Sequence, residues 1–379
     1  MNSRSLIYVL VCFNLYVACT FFQVSSGNGS NSNQCWFPAI YNFGDSNSDT
    51  GAISATFIGV QPPNGISFFG SLSGRASDGR LIIDFIAEEL KVPYLSAYLN
   101  SIGSNYRHGA NFATGGSSIR PGGYSPFHLG LQVNQFIQFK SHTKILYNQL
   151  SDNRTEPPLK SGLPRSEDFS KALYTFDIGQ NDLAIGLNKT SEEQVLRSIP
   201  EILSQFFQAV QQLYNEGARV FWIHNTGPFG CLPYSYIYYE PKKGNLDANG
   251  CVKPQNEIAQ EFNRQLKDQV FQLRRKFPLA KFTYVDVYTA KYELVSNARK
   301  LGFLSPLEFC CGSYYGYHIN CGKKAIVNGT VYGNPCKNPS QHVSWDGIHY
   351  SQAANQLIAK HILYGSFSDP PIPIGQACF

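Results

Sequence analysis

Five short apolar runs, each closing on a glycine or a small polar residue and separated by long amphipathic stretches, restrict what this chain can fold into. The runs occupy residues 38–43, 108–117 (a short strand entering a glycine loop), 172–178, 219–225 and 282–287. Between them, Leu81, Ile82, Phe85, Ile86 and Leu90 recur at helical spacing and predict a helix over residues 79–90; residues 131–145 read likewise. A longer run carries Val195, Ile199, Ile202, Leu203, Phe206, Val210 and Leu213 on one side, with Pro200 expected to divide or kink it and Gly217 to stop it. Ile258, Phe262, Leu266, Val270 and Leu273 mark another helix, and residues 352–363 a last one. Strands that alternate with helices are parallel neighbours, because a parallel pair needs a crossover to return the chain. The expected fold class is therefore α/β, a mostly parallel five-stranded sheet covered by helices on both faces. The Pro-rich tail after Ser368 reads as extended.

A basic Arg4, an apolar run over residues 6–22 and the small residues Val24, Ser25 and Ser26 read as a secretory signal peptide spanning residues 1–26, which leaves residues 27–379 as a single domain. A membrane anchor competes with this reading, but Asn14 and Thr20 interrupt the run and no second long apolar segment follows, so no stable membrane insertion is expected. Ten cysteines become eight once Cys12 and Cys19 leave with the leader, an even number suited to disulfides in an oxidising compartment. Their 105 pairings are open, with a link between Cys35 and Cys378 suggested by their places near the two mature ends. Residues 306–344, rich in Cys, Gly, Tyr and Asn, read as a disulfide-held loop region near the active site, and residues 151–166 as a surface excursion. Glycosylation sequons stand at Asn28, Asn153, Asn188 and Asn328. A net charge of +5 with scattered Lys and Arg gives no nucleic-acid footprint.

Three stretches carry chemistry. After the first strand the chain turns through Gly44 and Asp45 onto Ser46, at the sheet edge where α/β folds bind ligands. A serine hydroxyl needs a base, and His349 in the stretch Ser344-Trp345-Asp346-Gly347-Ile348-His349 is the side chain suited to that task, with Asp346 three residues earlier to fix its tautomer. Asn181, at the end of the third run, offers a side-chain NH₂ to a developing oxyanion, and Gly116 a backbone N–H beside it, with Gly115 a competitor for that place. Each stretch alone also reads as a polar turn or a cap. Asp45, Asp49 and Asp182 sit beside turns where carboxylates accept from backbone, which argues against their being a glycosidase pair. The histidines show no paired metal-ligand spacing, so no metal or cofactor is expected. Tyr234, Tyr236, Tyr238, Tyr239, Tyr314, Tyr315 and Tyr317 are candidates for an acyl or sugar site, while substrate-binding residues stay unassigned.

In order and wide spacing, Gly44-Asp45-Ser46, Gly115-Gly116, Gly179-x-Asn181-Asp182 and Asp346-x-x-His349 resemble the GDSL, or SGNH, hydrolase family. Asn42-Phe43-Gly44-Asp45-Ser46, residues 109–117 and Gly230-Cys231-Leu232-Pro233 resemble its plant secreted branch, and within it the early-nodulin-like and α-fucosidase-like esterases. The resemblance covers residues 36–365. It implies a three-layer α/β/α, flavodoxin-like SGNH fold and a serine esterase using Ser46 as nucleophile, His349 as base and then acid, and Asp346 as its orienter. The oxyanion hole would be the Ser46 amide, Gly116 and Asn181. The motif's fourth residue is Asn47 where the family has Leu, outside the chemistry, and the G-x-S-x-G elbow of the larger α/β-hydrolases is absent. The implied substrate is a small carboxylic ester, a short-chain acyl or acetyl ester of a glycoside or lipid, and the implied location extracellular, in the apoplast or cell wall, with the vacuole as the other destination. An acyltransferase with the same triad, a cell-wall glycosidase and a non-catalytic carbohydrate-binding or storage glycoprotein are the competing readings.

Overall fold

Parallel strands of five residues or fewer build the centre of the computed structural model, which describes residues 34–378 apart from 58, 152–157, 240–241 and 243. They are β1 (Ile40–Gly44), β2 (Gly109–Asn111), β3 (Leu173–Asp177), β4 (Val220–His224) and β5 (Lys281–Val285), side by side in the order β2-β1-β3-β4-β5. The seven principal helices are α1 (Ile82–Glu89), α2 (Leu129–Ser151), α3 (Gln180–Lys189), α4 (Glu192–Asn215), α5 (Lys253–Lys276), α6 (Val287–Ser296) and α7 (Gln352–Leu363). Side chains alternate across each strand. Tyr41, Phe43, Tyr174, Phe176, Phe221 and Ile223 therefore join one core with α2, α4 and α5, while Ile40, Leu173, Val220, Trp222 and Val285 join the other with α1, α6 and α7. The result is a three-layer α/β/α sandwich, as the alternation predicts, with the flavodoxin-like strand order that the resemblance implies.

Register matters more to the site than layer count. Gly44 pairs with Asp177, so β1 and β3 end level and their following turns leave the same edge together. The chain passes from β1 to β2 on one side and on to β3 on the other, which makes the end of β1 a switch point, where open α/β sheets leave a crevice.

Several expectations need correction. A sixth strand, β6 (Ser368–Asp369), pairs antiparallel with β5, so the tail expected to be only extended extends the sheet before a 3₁₀ turn at Ile374–Gln376. The helix expected over 131–145 runs over Leu129–Ser151. Pro200 does not divide α4, which is one helical span capped by Ser191 and Gln194; the proline is exposed, so the carbonyl its missing N–H releases faces solvent. Gly217 does end that segment, with φ of 100°. Residues 306–344 carry two short hairpins, Ser313–Tyr314 with His318–Ile319 and Ala325–Val327 with Thr330–Tyr332.

Four disulfides join Cys35 to Cys378, Cys231 to Cys251, Cys310 to Cys336 and Cys311 to Cys321, the last two inside the loop region. No helix among the described residues is long and apolar enough to cross a membrane. The expected leader with Cys12 and Cys19, and the sequons at Asn28 and Asn153, lie outside the described residues.

One buried ion pair holds α1 in place. Arg75 donates from Nε to Asp84 Oδ2 at 2.8 Å and from Nη2 to Oδ1 at 2.6 Å, and the same carboxylate accepts from the Leu81 amide at the helix start. Both side chains are nearly sealed from water, at 7% and 1% exposure. Removing one partner strands the other charge, so Asp84→Ala is expected to lower stability by about 3–5 kcal/mol in urea unfolding.

Candidate active site

The turn after β1 is shaped by a missing side chain. A Cβ on Gly44 would stand 2.4 Å from Ser48 Oγ and 2.6 Å from the Asp177 carbonyl, so only glycine lets β1 close this tightly on β3. Gln132 of α2 clamps the same glycine, accepting from its N–H at 2.9 Å and donating to its carbonyl at 2.8 Å. Asp45, fully buried, accepts from the Asn47 amide and side chain and from Gln180 Nε2. Burial and the nearby charge of Asp177 push the Asp45 carboxyl above the usual range. These contacts fix the turn and leave Ser46 half-buried at its tip.

The far end of the chain brings an imidazole to Ser46. Gly347, at φ of 95°, lets residues 344–349 fold back: Trp345 donates its N–H to the His349 carbonyl at 2.7 Å, and the Tyr234 N–H bonds the Gly347 carbonyl at 2.9 Å. Asp346 Oδ1 accepts from the Ile348 and His349 amides at 3.0 and 2.7 Å, which aims Oδ2 at His349 Nδ1, 2.7 Å away. With Nδ1–H given to the carboxylate, Nε2 is an acceptor, and it lies 2.8 Å from Ser46 Oγ. Burial alone would raise the Asp346 carboxyl, but the charge and hydrogen bonds of His349, with those two amides, hold it below the usual carboxylate range. Burial likewise would lower His349, and the Asp346 carboxylate outweighs it, raising the imidazole above its ordinary value.

Facing this pair are the donors from the middle of the chain. The Gly115 amide is taken by Asp49 Oδ2 at 2.8 Å, whereas the Gly116 amide has no protein acceptor among the described residues. Gly116, at φ of 75°, borders the pocket; Gly115 does not. Asn181 stands in the first turn of α3, and its Nδ2 gives one hydrogen to the Ser117 carbonyl at 2.8 Å, leaving the other free to aim. Ser46, Gly116, Asn181 and His349 thus line one pocket of about 310 Å³, whose remaining wall is largely apolar, from Ala184, Phe229, Leu232 and Ile348. Such an array of hydroxyl, base and N–H donors suits acyl transfer.

The competing carboxylates are committed elsewhere. Asp49 accepts from the Gly51, Ala52, Ile53 and Gly115 amides, and Asp182 from Ile119 and Arg120; both are buried. Burial pushes the Asp182 carboxyl up to about 6. Of the tyrosines, Tyr234 lines the pocket by Ser46, and Tyr238 and Tyr239 line a neighbouring one; Tyr314 packs edge-on against Tyr238 and, like Tyr236, Tyr315 and Tyr317, borders neither. Asn188 and Asn328 are exposed, Asn188 donating to Tyr124 Oη at 2.9 Å. Sequence reasoning missed Gln132, Gln180, Tyr124 and Phe229. Gln132 left one signal, a polar residue on the stripe that also holds Leu129, Val133 and Phe136.

A family model described as GDSL-like Lipase/Acylhydrolase matches residues 40–362. Among curated proteins, a GDSL esterase/lipase of Arabidopsis thaliana is 55% identical over 355 residues, 91% of this chain and 90% of that one. A second Arabidopsis thaliana protein, named alpha-L-fucosidase 3, is 51% identical over 89% of this chain and 92% of its own length. The GDSL esterase/lipase ENOD8 of Medicago truncatula is 46% identical over 91% of each.

Proposed function

Because the chain belongs to the GDSL-like lipase/acylhydrolase family and is a carboxylic ester hydrolase, we propose that it is secreted and cleaves small esters through an acyl-enzyme built on Ser46, His349 and Asp346. One observation carries the mechanism: the continuous relay from Asp346 Oδ2 through His349 to Ser46 Oγ opens into a pocket lined by Asn181 and by Gly116, whose amide has no protein acceptor among the described residues. Ser46 Oγ attacks the ester carbonyl while its proton passes to His349 Nε2, and the imidazolium forms against the Asp346 carboxylate. The Ser46 and Gly116 amides and Asn181 Nδ2 receive the oxyanion. Collapse breaks the bond to the alcohol oxygen, which leaves with the proton from His349; water, deprotonated by the same nitrogen, then releases the acid and restores the serine. The four disulfides support an oxidising compartment, hence the secretory route.

Glycoside hydrolysis finds less support. It needs two carboxyl groups flanking the scissile bond, and among the described residues no carboxylate lines the pocket at Ser46. Acyl transfer to a second alcohol would use the same groups, and product analysis with excess acceptor distinguishes it. The deciding experiment is labelling by a fluorophosphonate probe, expected for the native protein and absent in Ser46→Ala.

Two outcomes follow from the geometry. Asn181→Ala removes one oxyanion donor and is expected to lower kcat on a short-chain ester by about 10²–10³-fold with KM little changed. His349 must be neutral to accept the serine proton, and its affinity for a proton is raised. The acidic limb of kcat/KM is therefore expected above the ordinary imidazole range, activity being lost as pH falls through it. A limb below that range in a pH–rate profile would refute the assignment.

A further inference from the structure

The cleft continues past the triad. Tyr124, Ala184, Phe229, Tyr234 and Ser235 border both the pocket at Ser46 and a second cavity of about 370 Å³. The two differ in chemistry: beside Ser46 the walls are mostly apolar, whereas the second cavity is bordered by Asn188, Glu192, Gln255 and Tyr239. Gln255, at the start of α5, is 8% exposed, and its Oε1 is buried with no hydrogen-bond donor among the described residues. A carbonyl oxygen out of water and without a donor is unfavourable unless something entering the cavity supplies an O–H or N–H. Along the same side Tyr234 packs against Tyr238 with ring centroids 4.3 Å apart, and Tyr314, outside the cavity, backs Tyr238 at 5.5 Å.

We propose that this second cavity is a glycosyl subsite for the leaving alcohol, so that the ester cleaved is an O-acylated sugar whose short acyl group occupies the apolar pocket. A pyranose presents C–H faces that lie against tyrosine rings and hydroxyls that both donate and accept, which matches the orphaned Gln255 oxygen and the Glu192 carboxylate. An alkyl alcohol or a long acyl tail would desolvate those groups and return no hydrogen bond. In the acylation step the bond from Ser46 Oγ to the acyl carbon forms, the bond from that carbon to the sugar oxygen breaks, and His349 hands its proton to that oxygen. This assignment rests on the esterase reading above.

The test uses full-length protein made without N-glycans, because Asn188 heads a sequon at this cavity. Values of kcat/KM are measured on mono-O-acetylated methyl xylo-, gluco- and galactopyranosides and on butyl acetate. At least one glycoside is expected to exceed butyl acetate tenfold or more, and Gln255→Leu to cut that ratio about tenfold. Glu192→Gln, expected to cut it severalfold, serves where Gln255→Leu does not fold. Ratios of one or less for all three glycosides, or a ratio unmoved in folded variants, overturn the subsite. Preference for butyl octanoate over butyl acetate hands the cavity to an acyl tail and overturns it too. No turnover of any ester by the native protein removes the esterase reading itself, and the subsite with it.

Discussion

Ser46→Ala is expected to reduce kcat on a short-chain ester by about 10⁶-fold, to abolish fluorophosphonate labelling, and to leave thermal stability unchanged. The size follows from what the hydroxyl does in the proposed route. Without it no acyl-enzyme forms, and the remaining donors can only stabilise direct attack by water, a residual worth about 10³–10⁴ over the uncatalysed rate. The neutrality toward folding follows from where the hydroxyl sits. Ser46 is half-buried, and its Oγ meets His349, while the turn itself is held by Asp45, Gln132 and the close approach of Gly44 to Asp177. Retention of more than about one-thousandth of kcat in a folded Ser46→Ala protein would end the acyl-enzyme account.

Much of this arrangement was legible before any coordinates, for a physical reason. Five strands that alternate with helices leave little choice but a parallel sheet, and parallel strands bring their carboxyl ends to one edge, so residues far apart in sequence that each follow a strand must meet there. Ser46 follows β1, Gly116 follows β2 and Asn181 follows β3. Other elements hid. In α6 the apolar stripe of Val287, Ala290, Leu294 and Val295 is broken by Lys291, which is 2% exposed and reads as a surface residue until the fold encloses it. Along α3, Asp182 and Leu183 are the two fully buried residues in ten, too few to show a period. Gln132 acts on Gly44 across 88 residues, a contact that no local pattern encodes. Between Gly115 and Gly116, Asp49 engages the amide of the first while the second borders the pocket, and that favours Gly116 as the proposed oxyanion donor.

Asp346→Asn is expected to lower kcat about 10⁴-fold while preserving the fold, and the contrast with Asp346→Ala separates two jobs of one side chain. Oδ1 anchors the loop by accepting from the Ile348 and His349 amides, and Oδ2 meets His349 Nδ1. An asparagine keeps an oxygen for the two amides, which turns its NH₂ toward the imidazole. Nδ1 then has to accept, the ring proton moves to Nε2, and Nε2 faces Ser46 as a donor unable to take the hydroxyl proton. His349 also loses the carboxylate that raises it; burial, the largest influence, then lowers it, with Lys291 in the same sense and the charge of Asp45 opposing, and the residual acidic limb of kcat/KM is expected to move to lower pH. Alanine removes both oxygens, so it is expected to cost activity and, by freeing two loop amides, thermal stability as well. Stability equal in the two variants would separate the loop from Asp346, and an acidic limb that stays in place in Asp346→Asn would remove Asp346 as the partner that sets the imidazole.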